Sequence, residues 1–408
     1  MRNRLFVSSL KISNFKGIAS LELNFDPALT VIAGSNGVGK TSILEAVLAT
    51  ATQVWVSTER GSKYPIFHLD LNSRRRTATK GKIEAHFRAA SEKDTEYFEL
   101  CFEEHLGTRH LRQMGDYVKR QKDMETSLIV YYSQERIADR KQPTSRGNRD
   151  SSLKTSVTSV GEFENWFFER ESDEAREVQK RKDFGFSYPE LDAIRSVLEQ
   201  MENFDSITSR YDENQSARKL LFIKNGIEVL FDELSSGERV YFLLAADLAR
   251  RLSLEYPSLP MNERPGLVLI DEVELHLHPA WQRKILTELL KSFPACQFIV
   301  TTHSPQVMGG VNARNIRVLN ADSSGHVSVR IPSASKGRDT NYILEALLDT
   351  SERELDVDEL FESFDQAYDK GDLESTKSAL EQIEAKVEGE SSLVATLRSK
   401  FERKFAAQ

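Results

Sequence analysis

One eight-residue segment constrains the fold of this chain more than any other. Residues Gly34 to Thr41 read GSNGVGKT and fit the pattern G-x-x-x-x-G-K-T. The apolar run at 28–33 predicts a buried strand before the segment, and apolar residues at helical spacing over 42–49 predict a helix after it. A glycine loop between a strand and a helix directs backbone N–H groups at an anion, so this order favours a phosphate-binding loop over a chance glycine-rich turn.

Each residue type in the loop has a predicted task. Gly37 and Gly39 permit positive φ angles and close approach of a ligand. Lys40 is expected to reach the β- and γ-phosphates of a nucleoside triphosphate, and the Thr41 hydroxyl is expected to hold Mg²⁺. Together with Asn36, these residues form the predicted site for ATP and Mg²⁺.

Three further apolar runs end in polar side chains that suit phosphate chemistry. Asp271 and Glu272 end one run, His303 ends a second, and Gln134 follows a third. Parallel strands bring their C-terminal ends to one crevice, so we expect these side chains to meet the phosphate loop.

Hydrolysis of a triphosphate requires a metal, a water molecule and a group that activates the water. We expect Asp271 to hold Mg²⁺ through water, Glu272 to act as the general base, and His303 to contact the γ-phosphate. The Gln134 amide is a candidate Mg²⁺ ligand and γ-phosphate sensor. Taken singly, these residues are equally typical of acid-capped strand ends and surface side chains, and their shared position at strand ends favours the functional interpretation.

The segment LSSGE at 234–238 opens a second predicted helix. One interpretation is a helix N-cap with a nearby acid. The other is a second anion-binding helix start, in which Ser235 and Gly237 face a phosphate. Two such helix starts rarely meet over one phosphate within one chain, so two chains placed head to tail would sandwich ATP between them.

This ordered set resembles the ATP-binding-cassette (ABC) ATPase heads of the RecF and chromosome-maintenance class. Asn14 to Gly17 looks like the N-terminal strand turn of that class, which adds Lys16 to the nucleotide-binding residues. The resemblance also identifies Walker A, the Q-loop glutamine, the signature motif, Walker B and the switch histidine, at Gly34 to Thr41, Gln134, Leu234 to Glu238, Leu267 to Glu272 and His303, respectively. The signature departs from the common LSGGQ form because serine stands at 236 and glutamate at 238.

Within that class, the segment DEVELHLHPAWQ at 271–282 and the segment TTHSP at 301–305 look like those of the overcoming-lysogenization-defect family and its relatives. His276 and His278 suggest a metal pair when taken alone, whereas the resemblance implies a loop that crosses a dimer interface. The narrowest match is to PtuA-like ATPases of Septu and retron anti-phage systems. That resemblance implies a homodimer, or a higher oligomer of dimers, with a separate HNH nuclease partner.

The predicted fold is α/β: an ABC ATPase head with a mixed and parallel sheet, flanking helices, an antiparallel β subdomain and a short helical insertion, followed by an acidic C-terminal helical region. The head is expected to span 1–335, with an insertion over roughly 56–215, and the helical region 336–408. The runs Ile316 to Leu319 and Val327 to Ile331 are predicted to be edge strands.

Charge is distributed unevenly along the chain. The net charge is −8, yet residues 341–408 alone carry 17 acidic and 8 basic residues, so the remainder is nearly neutral. The acidic tail is typical of either a solvated helical cap or a surface for a basic partner. Basic clusters at 74–82, 136–141 and 176–182 are solvated faces or contacts for nucleic acid, which would be DNA or retron RNA/DNA. With two cysteines and no membrane-spanning run, we expect a cytoplasmic protein.

No nuclease site is predicted in this chain, because its one D-x-D, at 356–358, is expected to cap a helix. The leading hypothesis is therefore an ABC-type ATPase that dimerises around ATP and regulates a separate effector nuclease in anti-phage defence. The alternatives are a RecF-like repair ATPase that acts directly on DNA, and a scaffold that binds ATP without significant turnover.

Overall fold

The computed structural model describes residues 4–57, 81–90, 100–106, 112–113, 127–134, 160–212, 217–340, 342–344, 355–386 and 392–405. The chain divides into two compact units, Met1–Arg338 and Asp339–Gln408. No helix in these described segments is both long enough and apolar enough to cross a membrane.

The strands and helices of the first unit follow one another as the order of apolar runs suggests. The strands are β1 (Arg4–Phe15), β2 (Ile18–Asn24), β3 (Leu29–Gly34), β4 (Gly81–Ala90), β5 (Leu100–Leu106), β6 (Arg112–Gln113), β7 (Leu128–Tyr132), β8 (Phe204–Asp212), β9 (Ala217–Lys224), β10 (Ile227–Leu230), β11 (Gly266–Ile270), β12 (Cys296–Thr302), β13 (Ile316–Ala321) and β14 (Val327–Arg330). The helices are α1 (Lys40–Ser57), α2 (Val160–Arg181), α3 (Pro189–Glu199), α4 (Ser236–Glu255), α5 (Pro279–Ser292) and α6 (Pro305–Gly309).

A six-stranded sheet in the order β14–β13–β3–β12–β11–β7 forms the core of this unit. Every residue of β3, β7, β11 and β12 is buried, as expected for apolar strands that are covered on both faces. The pairs β7–β11, β11–β12, β12–β3 and β3–β13 are all parallel. The C-terminal ends of these strands therefore lie along one edge of the sheet.

Two antiparallel sheets accompany the central one. The first has the order β2–β1–β4–β5–β6, and it contains the predicted pairing of β4 with β5. The second has the order β10–β9–β8, and its β9–β10 hairpin turns at Asn225 and Gly226, both at positive φ, as the Asn-Gly pair predicts. The mixed α/β architecture is thus the predicted one.

The predicted short helical insertion contains two helices, α2 and α3. The chain leaves α2 at Lys182, which has a φ of 55°, and α3 begins with Pro189 in its first turn. Gly185 lies in the segment between the two helices. The arm packs through an aromatic cluster: Phe163 on α2 lies edge-on to Phe242 on α4, with ring centroids 5.9 Å apart.

One strand prediction was wrong. β13 is not an edge strand, because it pairs in parallel with β3 on one side and antiparallel with β14 on the other. Arg317 interrupts its apolar pattern, yet this residue is 7% exposed. Its guanidinium donates hydrogen bonds to the backbone oxygens of Asn24 and Arg314, which satisfies the charge within the fold. Of the two predicted edge strands, only β14 lies at an edge of the sheet.

The second unit contains helices α7 (Leu355–Lys370), α8 (Leu373–Lys386) and α9 (Ser392–Phe405). Their apolar faces meet in a core formed by Phe364, Ala379, Leu380, Ile383 and Leu397. Gly371, at a φ of 73°, lies between α7 and α8, where the left-handed conformation suits glycine at the end of a helix.

Candidate functional site

Four neighbouring parallel strands end beside one another and carry the predicted site residues. In sheet order, β3 leads into the glycine loop, β12 ends before His303, β11 ends before Asp271 and β7 ends just before Gln134. The register aligns Ile270 with Val300 on one side and with Tyr132 on the other. The strands therefore bring together side chains that are separated by up to 263 positions in sequence.

The glycine loop has the backbone geometry that its sequence predicts. Gly37 and Gly39 have φ values of 80° and 103°, which side chains larger than glycine rarely adopt. A Cβ added at Gly39 would also lie 3.0 Å from Ile18. The exposed residues Asn36 and Gly37 form the outer part of the loop, and α1 begins at Lys40.

Lys40 points back across the loop. Its Nζ donates to the backbone oxygens of Gly34 and Ser35, at 3.0 and 2.9 Å, and lies 3.3 Å from Nδ1 of His303. Burial lowers the pKa of Lys40, whereas the carboxylates of Asp271, Glu274 and Glu272 act in the opposite direction. The amine is thus held among carbonyl oxygens that a phosphate can replace.

The Thr41 hydroxyl and the Asp271 carboxylate form the part of the site that is suited to a cation. The Thr41 hydroxyl donates to Oδ2 of Asp271 at 2.8 Å, and Asp271 is only 2% exposed. A hydroxyl and a carboxylate oxygen at this spacing are the hard oxygen ligands that Mg²⁺ prefers. These two residues fit the predicted metal position.

Thr301, on β12, holds both acids of the Walker B segment. Its buried hydroxyl donates to Oδ1 of Asp271 and accepts the backbone N–H of Glu272 at 2.8 Å. Its backbone oxygen accepts the N–H of Val273 at 3.0 Å. Glu272 has a φ of 46°, a left-handed conformation that is unfavourable for a glutamate, and these hydrogen bonds hold it there.

The Glu272 carboxylate faces two other predicted site residues. Oε1 accepts a hydrogen bond from the Gln134 amide at 3.0 Å, and it lies 4.0 Å from Nε2 of His303. Gln134 thus orients the predicted base as well as being the predicted metal ligand. Its amide oxygen is the atom that suits a cation.

His303 is held in a defined orientation. Its backbone N–H donates to Oε1 of Glu274 at 2.6 Å. Partial burial, and then the neighbouring Lys40 ammonium, lower the pKa of His303 below its ordinary value of 6.5. The ring is therefore neutral at physiological pH. If Nδ1 accepts from Lys40, then Nε2 carries the proton and points toward the Glu272 side of the site.

Lys16 lies in a turn that packs beside α1. Asn14, near the end of β1, and Lys16, in the turn to β2, both have left-handed φ values, 55° and 49°. The Lys16 ammonium forms an ion pair with Glu45, on the first turns of α1. The turn predicted to bind nucleotide is thus anchored to the helix that follows the phosphate loop.

The signature segment has the geometry of a capping box. The Ser235 hydroxyl donates to Oε2 of Glu238 at 2.8 Å and accepts its backbone N–H at 3.3 Å. Although burial opposes ionisation, hydrogen bonds from Lys224 and Ser235 lower the pKa of Glu238. Ser235 is exposed whereas Gly237 is buried. The helix-cap interpretation therefore describes the isolated chain, and the phosphate-facing role of these residues stays a prediction.

The two histidines after Walker B have backbone roles. His276 has a φ of 64°, and His278 caps α5 through a hydrogen bond from the N–H of Ala280. No cluster of three or more His, Cys, Asp or Glu side chains is placed to hold a metal ion within the described segments. Their arrangement gives no support to a metal pair at 276 and 278.

Ion pairs occur within the described parts of the basic clusters. Within the third cluster, Arg176 pairs with Asp173, and Lys180 and Arg181 pair with Glu177. Lys82, from the first cluster, lies 2.9 Å from Glu84. The other members of the first cluster and the cluster at 136–141 lie outside the described residues. These four basic side chains thus have acidic neighbours, as on solvated faces.

Two site residues were missed by sequence reasoning. Thr301 orients both Walker B acids, and Glu274 anchors the backbone of His303. Both lie within the segments TTHSP and DEVE, close to predicted site residues. That closeness in sequence is the signal that could have identified them. Their hydrogen bonds join separate strands, and a single sequence does not reveal that partnership.

Two protein-family models match the parts of the chain that carry these site residues. Residues 6–101 match a family described as AAA ATPase domain, and residues 130–309 match an AAA domain family whose description adds AbiEii toxin, Type IV TA system. The SMC head domain from Thermotoga maritima, a solved structure, has 17% sequence identity and a TM-score of 0.43, covering 82% of this chain and all of that one.

The relatives in sequence include retron ATPases and Septu proteins. The chain is 36% identical over 161 residues to the retron Ec83 probable ATPase of Escherichia coli, which covers 39% of this chain. It is 26% identical over 348 residues to Septu protein PtuA of Bacillus thuringiensis, which covers 82% of this chain and 81% of that protein. The matches span only 29% and 35% of the Ec83 and Vc95 retron ATPases. The chain carries an ATPase domain of the AAA/ABC type, and its relatives include Septu PtuA proteins and retron ATPases.

Proposed function

We propose that this chain binds ATP with Mg²⁺ at the described strand edge, hydrolyses it to ADP and phosphate, and as an ATP-bound homodimer controls a separate nuclease in anti-phage defence. The observation that carries the proposal is the convergence of Lys40, Thr41, Asp271, Glu272 and His303 at the ends of adjacent parallel strands. Such convergence supplies a phosphate cradle, a metal position and a base in one crevice.

Each residue of the site has a separate role in binding or hydrolysis. Lys40 exchanges its bonds to Gly34 and Ser35 for phosphate oxygens, so the amine stays satisfied in both states. Thr41 and Asp271 would hold Mg²⁺, which when bound neutralises charge on the phosphates. Glu272 accepts the proton of the attacking water at a carboxylate that Gln134 orients.

His303 donates a hydrogen bond and does not act as a general acid or base. Because its pKa is lowered, the ring is neutral, and Nδ1 accepts from Lys40. The remaining N–H, on Nε2, is available to donate to an oxygen of the γ-phosphate. The same histidine thus contacts the phosphate-binding lysine and the region of the base, which suits a sensor of the third phosphate.

The dimer proposal rests on the signature segment. Ser235 and Ser236 are exposed at the start of α4, where helix N–H groups favour an anion. A second copy placed head to tail would bring this helix start to the phosphates bound by the first. Each copy would then complete the other's nucleotide site.

The nuclease partner and the defence role rest on similarity to Septu PtuA and the retron ATPases. We propose an HNH nuclease as the partner, and DNA or retron RNA/DNA as the nucleic acid contacted by the complex. Co-purification from the native operon tests this proposal, with the bound proteins and nucleic acids identified. A neighbouring nuclease gene and its product support defence, whereas neighbouring recombination genes and a chain that binds DNA alone would favour a RecF-like repair role.

ATP turnover by the purified full-length chain tests the enzymatic part. Glu272→Gln is expected to reduce kcat by about 10²- to 10⁴-fold, the usual contribution of a general base, while ATP binding persists. Lys40→Ala is expected to lose ATP binding itself. Glu263→Gln, an exposed acid in the turn Met261–Glu263, serves as the matched control. Wild-type turnover in Glu272→Gln would remove the base assignment, and ATP binding without turnover in the wild type would favour the scaffold alternative.

A further inference from the structure

Gly237 of the signature segment is covered by a tryptophan of its own chain. A Cβ added at Gly237 would lie 2.2 Å from Cδ1 and 2.6 Å from Cγ of Trp281. No side chain other than that of glycine fits unless the indole moves. Trp281 lies in the first turn of α5, so the start of α4 and the start of α5 touch directly at this point.

The same indole also contacts a second residue of α4. It stacks on Tyr241, one turn further along α4, with ring centroids 5.4 Å apart and an angle of 26° between the rings. Tyr241 is fully buried, and its hydroxyl lies 3.2 Å from that of Ser292 at the far end of α5. Contacts at both ends of α5, Trp281 at its start and Ser292 at its end, thus hold it against α4.

The residue after Trp281 reaches in the opposite direction, toward the switch histidine. Oε1 of Gln282 accepts a hydrogen bond from the hydroxyl of Ser304 at 2.6 Å, and Nε2 donates to the backbone oxygen of Leu277 at 2.8 Å. Ser304 follows His303 directly and caps α6. Gln282 therefore ties the turn that carries His303 to the first turn of α5.

We propose that Trp281 and Gln282 are a positioning pair that fixes the signature turn relative to His303. On this proposal, glycine is required at 237 because Trp281 occupies the space of a side chain. The start of α5 then links the γ-phosphate end of a chain's own nucleotide site to the helix start that the chain offers to a second copy. This step rests on the proposed head-to-tail dimer, whereas the packing of Trp281 on Gly237 does not.

A double-mutant cycle between Gly237→Ala and Trp281→Ala tests the packing in the full-length chain. In the wild-type background, Gly237→Ala is expected to lower the urea midpoint, because the new methyl group displaces the indole. In the Trp281→Ala background the same change should be neutral or raise the midpoint, since alanine favours a helix more than glycine does. Equal losses of midpoint in both backgrounds, or no loss in either, would overturn the packing explanation.

Trp166→Ala provides a matched control background. Trp166 also contacts α4, but through Arg250 in a different part of the helix, at 4.9 Å from the indole centroid. Gly237→Ala should cost as much in this background as in the wild type. A rescue by Trp166→Ala equal to that by Trp281→Ala would show that the effect is not local, and would also overturn the explanation.

ATP turnover tests the positioning role. Trp281→Phe and Gln282→Ala should each lower kcat at least fivefold while the affinity for a fluorescent ATP analogue changes less than twofold, since neither residue touches the phosphate loop. The double variant should lose no more than the worse single variant, because both act through one link. Independent, multiplicative losses would refute the link, and so would unchanged kcat in both single variants. Absence of ATP turnover in the wild type would instead refute the proposed function. The double-mutant cycle in urea would then still test the packing of Trp281 on Gly237.

Discussion

Replacing Thr301 with valine tests how the Walker B acids are held. Valine has nearly the same shape as threonine but lacks the hydroxyl, and Thr301 is fully buried, so the change removes hydrogen bonds without opening a cavity. The two bonds lost are those to the Asp271 carboxylate and from the Glu272 backbone N–H. Thr301→Ser keeps the hydroxyl and serves as the matched control.

The expected magnitude follows from these two bonds. A buried hydrogen bond to a charged group contributes about 1.5–3 kcal/mol, and one between neutral groups about 0.5–1.5 kcal/mol. Thr301→Val should therefore lower the free energy of unfolding by about 2–4 kcal/mol. The loss also releases the left-handed backbone of Glu272, so the base becomes less well oriented. Misplacement of such a group costs about 10- to 100-fold in kcat.

Urea unfolding and steady-state ATP turnover measure the two consequences separately. Thr301→Val should show a lower midpoint and a lower kcat, with little change in ATP affinity because the phosphate loop is untouched. Thr301→Ser should stay near the wild type in kcat, and lose only the stability that its missing methyl group provides. If valine and serine variants have the same kcat, the hydroxyl does not orient the base and the argument fails.

Two further predictions concern titration and the second unit. Because the pKa of His303 is lowered in the folded chain, its contribution to stability is fully present above its ordinary value of 6.5 and is lost as the pH falls toward the folded pKa; urea midpoints of the wild type should fall over that window more steeply than those of His303→Gln, and parallel curves would contradict the shift. Phe364 is fully buried in the core of the second unit, so Phe364→Ala should cost about 3–5 kcal/mol and speed amide exchange throughout α7–α9; unchanged exchange in these helices would refute the described core.

Strand ends were the part of the site that sequence patterns could predict. Each of β3, β7, β11 and β12 is a buried and mainly apolar run, and such runs in parallel sheets predict both the strand and the edge where the polar residue that follows it lies. The observed neighbours are Gly34 to Thr41, His303, Asp271 and Gln134, in that order across the sheet. Periodicity and the loop motif were enough to place these groups together.

Hydrogen bonds across strands could not be predicted in the same way. The partnership of Thr301 with Glu272 depends on the register of β11 against β12, and the left-handed φ of Glu272 depends on that partnership. The burial of Arg317 within β13 has the same origin, since the carbonyl oxygen of the distant residue Asn24 accepts a hydrogen bond from its guanidinium. Local patterns describe which residues are apolar, whereas these features follow from which residues become neighbours.

The packing of Trp281 shows how one glycine can satisfy two demands. The resemblance of the signature segment to ABC heads predicts that Gly237 faces a phosphate, whereas the fold gives it a steric partner within the chain. A glycine at position 237 is consistent with both phosphate contact and packing against Trp281. The two explanations make different predictions for the Trp281→Ala background.

The arrangement of Lys40 suggests how nucleotide binding reaches the signature segment on the proposed mechanism. Lys40 is satisfied by two loop carbonyls and lies against His303, so phosphate oxygens that attract its ammonium also alter the contact that holds the histidine ring. The histidine turn is tied to α5 through Ser304 and Gln282, and the adjacent Trp281 packs under the start of α4. Replacement of the hydrogen-bond partners of Lys40 by phosphate oxygens would therefore shift the start of α4, which is the surface proposed to contact a second copy. Such a link transmits a displacement because closely packed side chains shift together rather than deform.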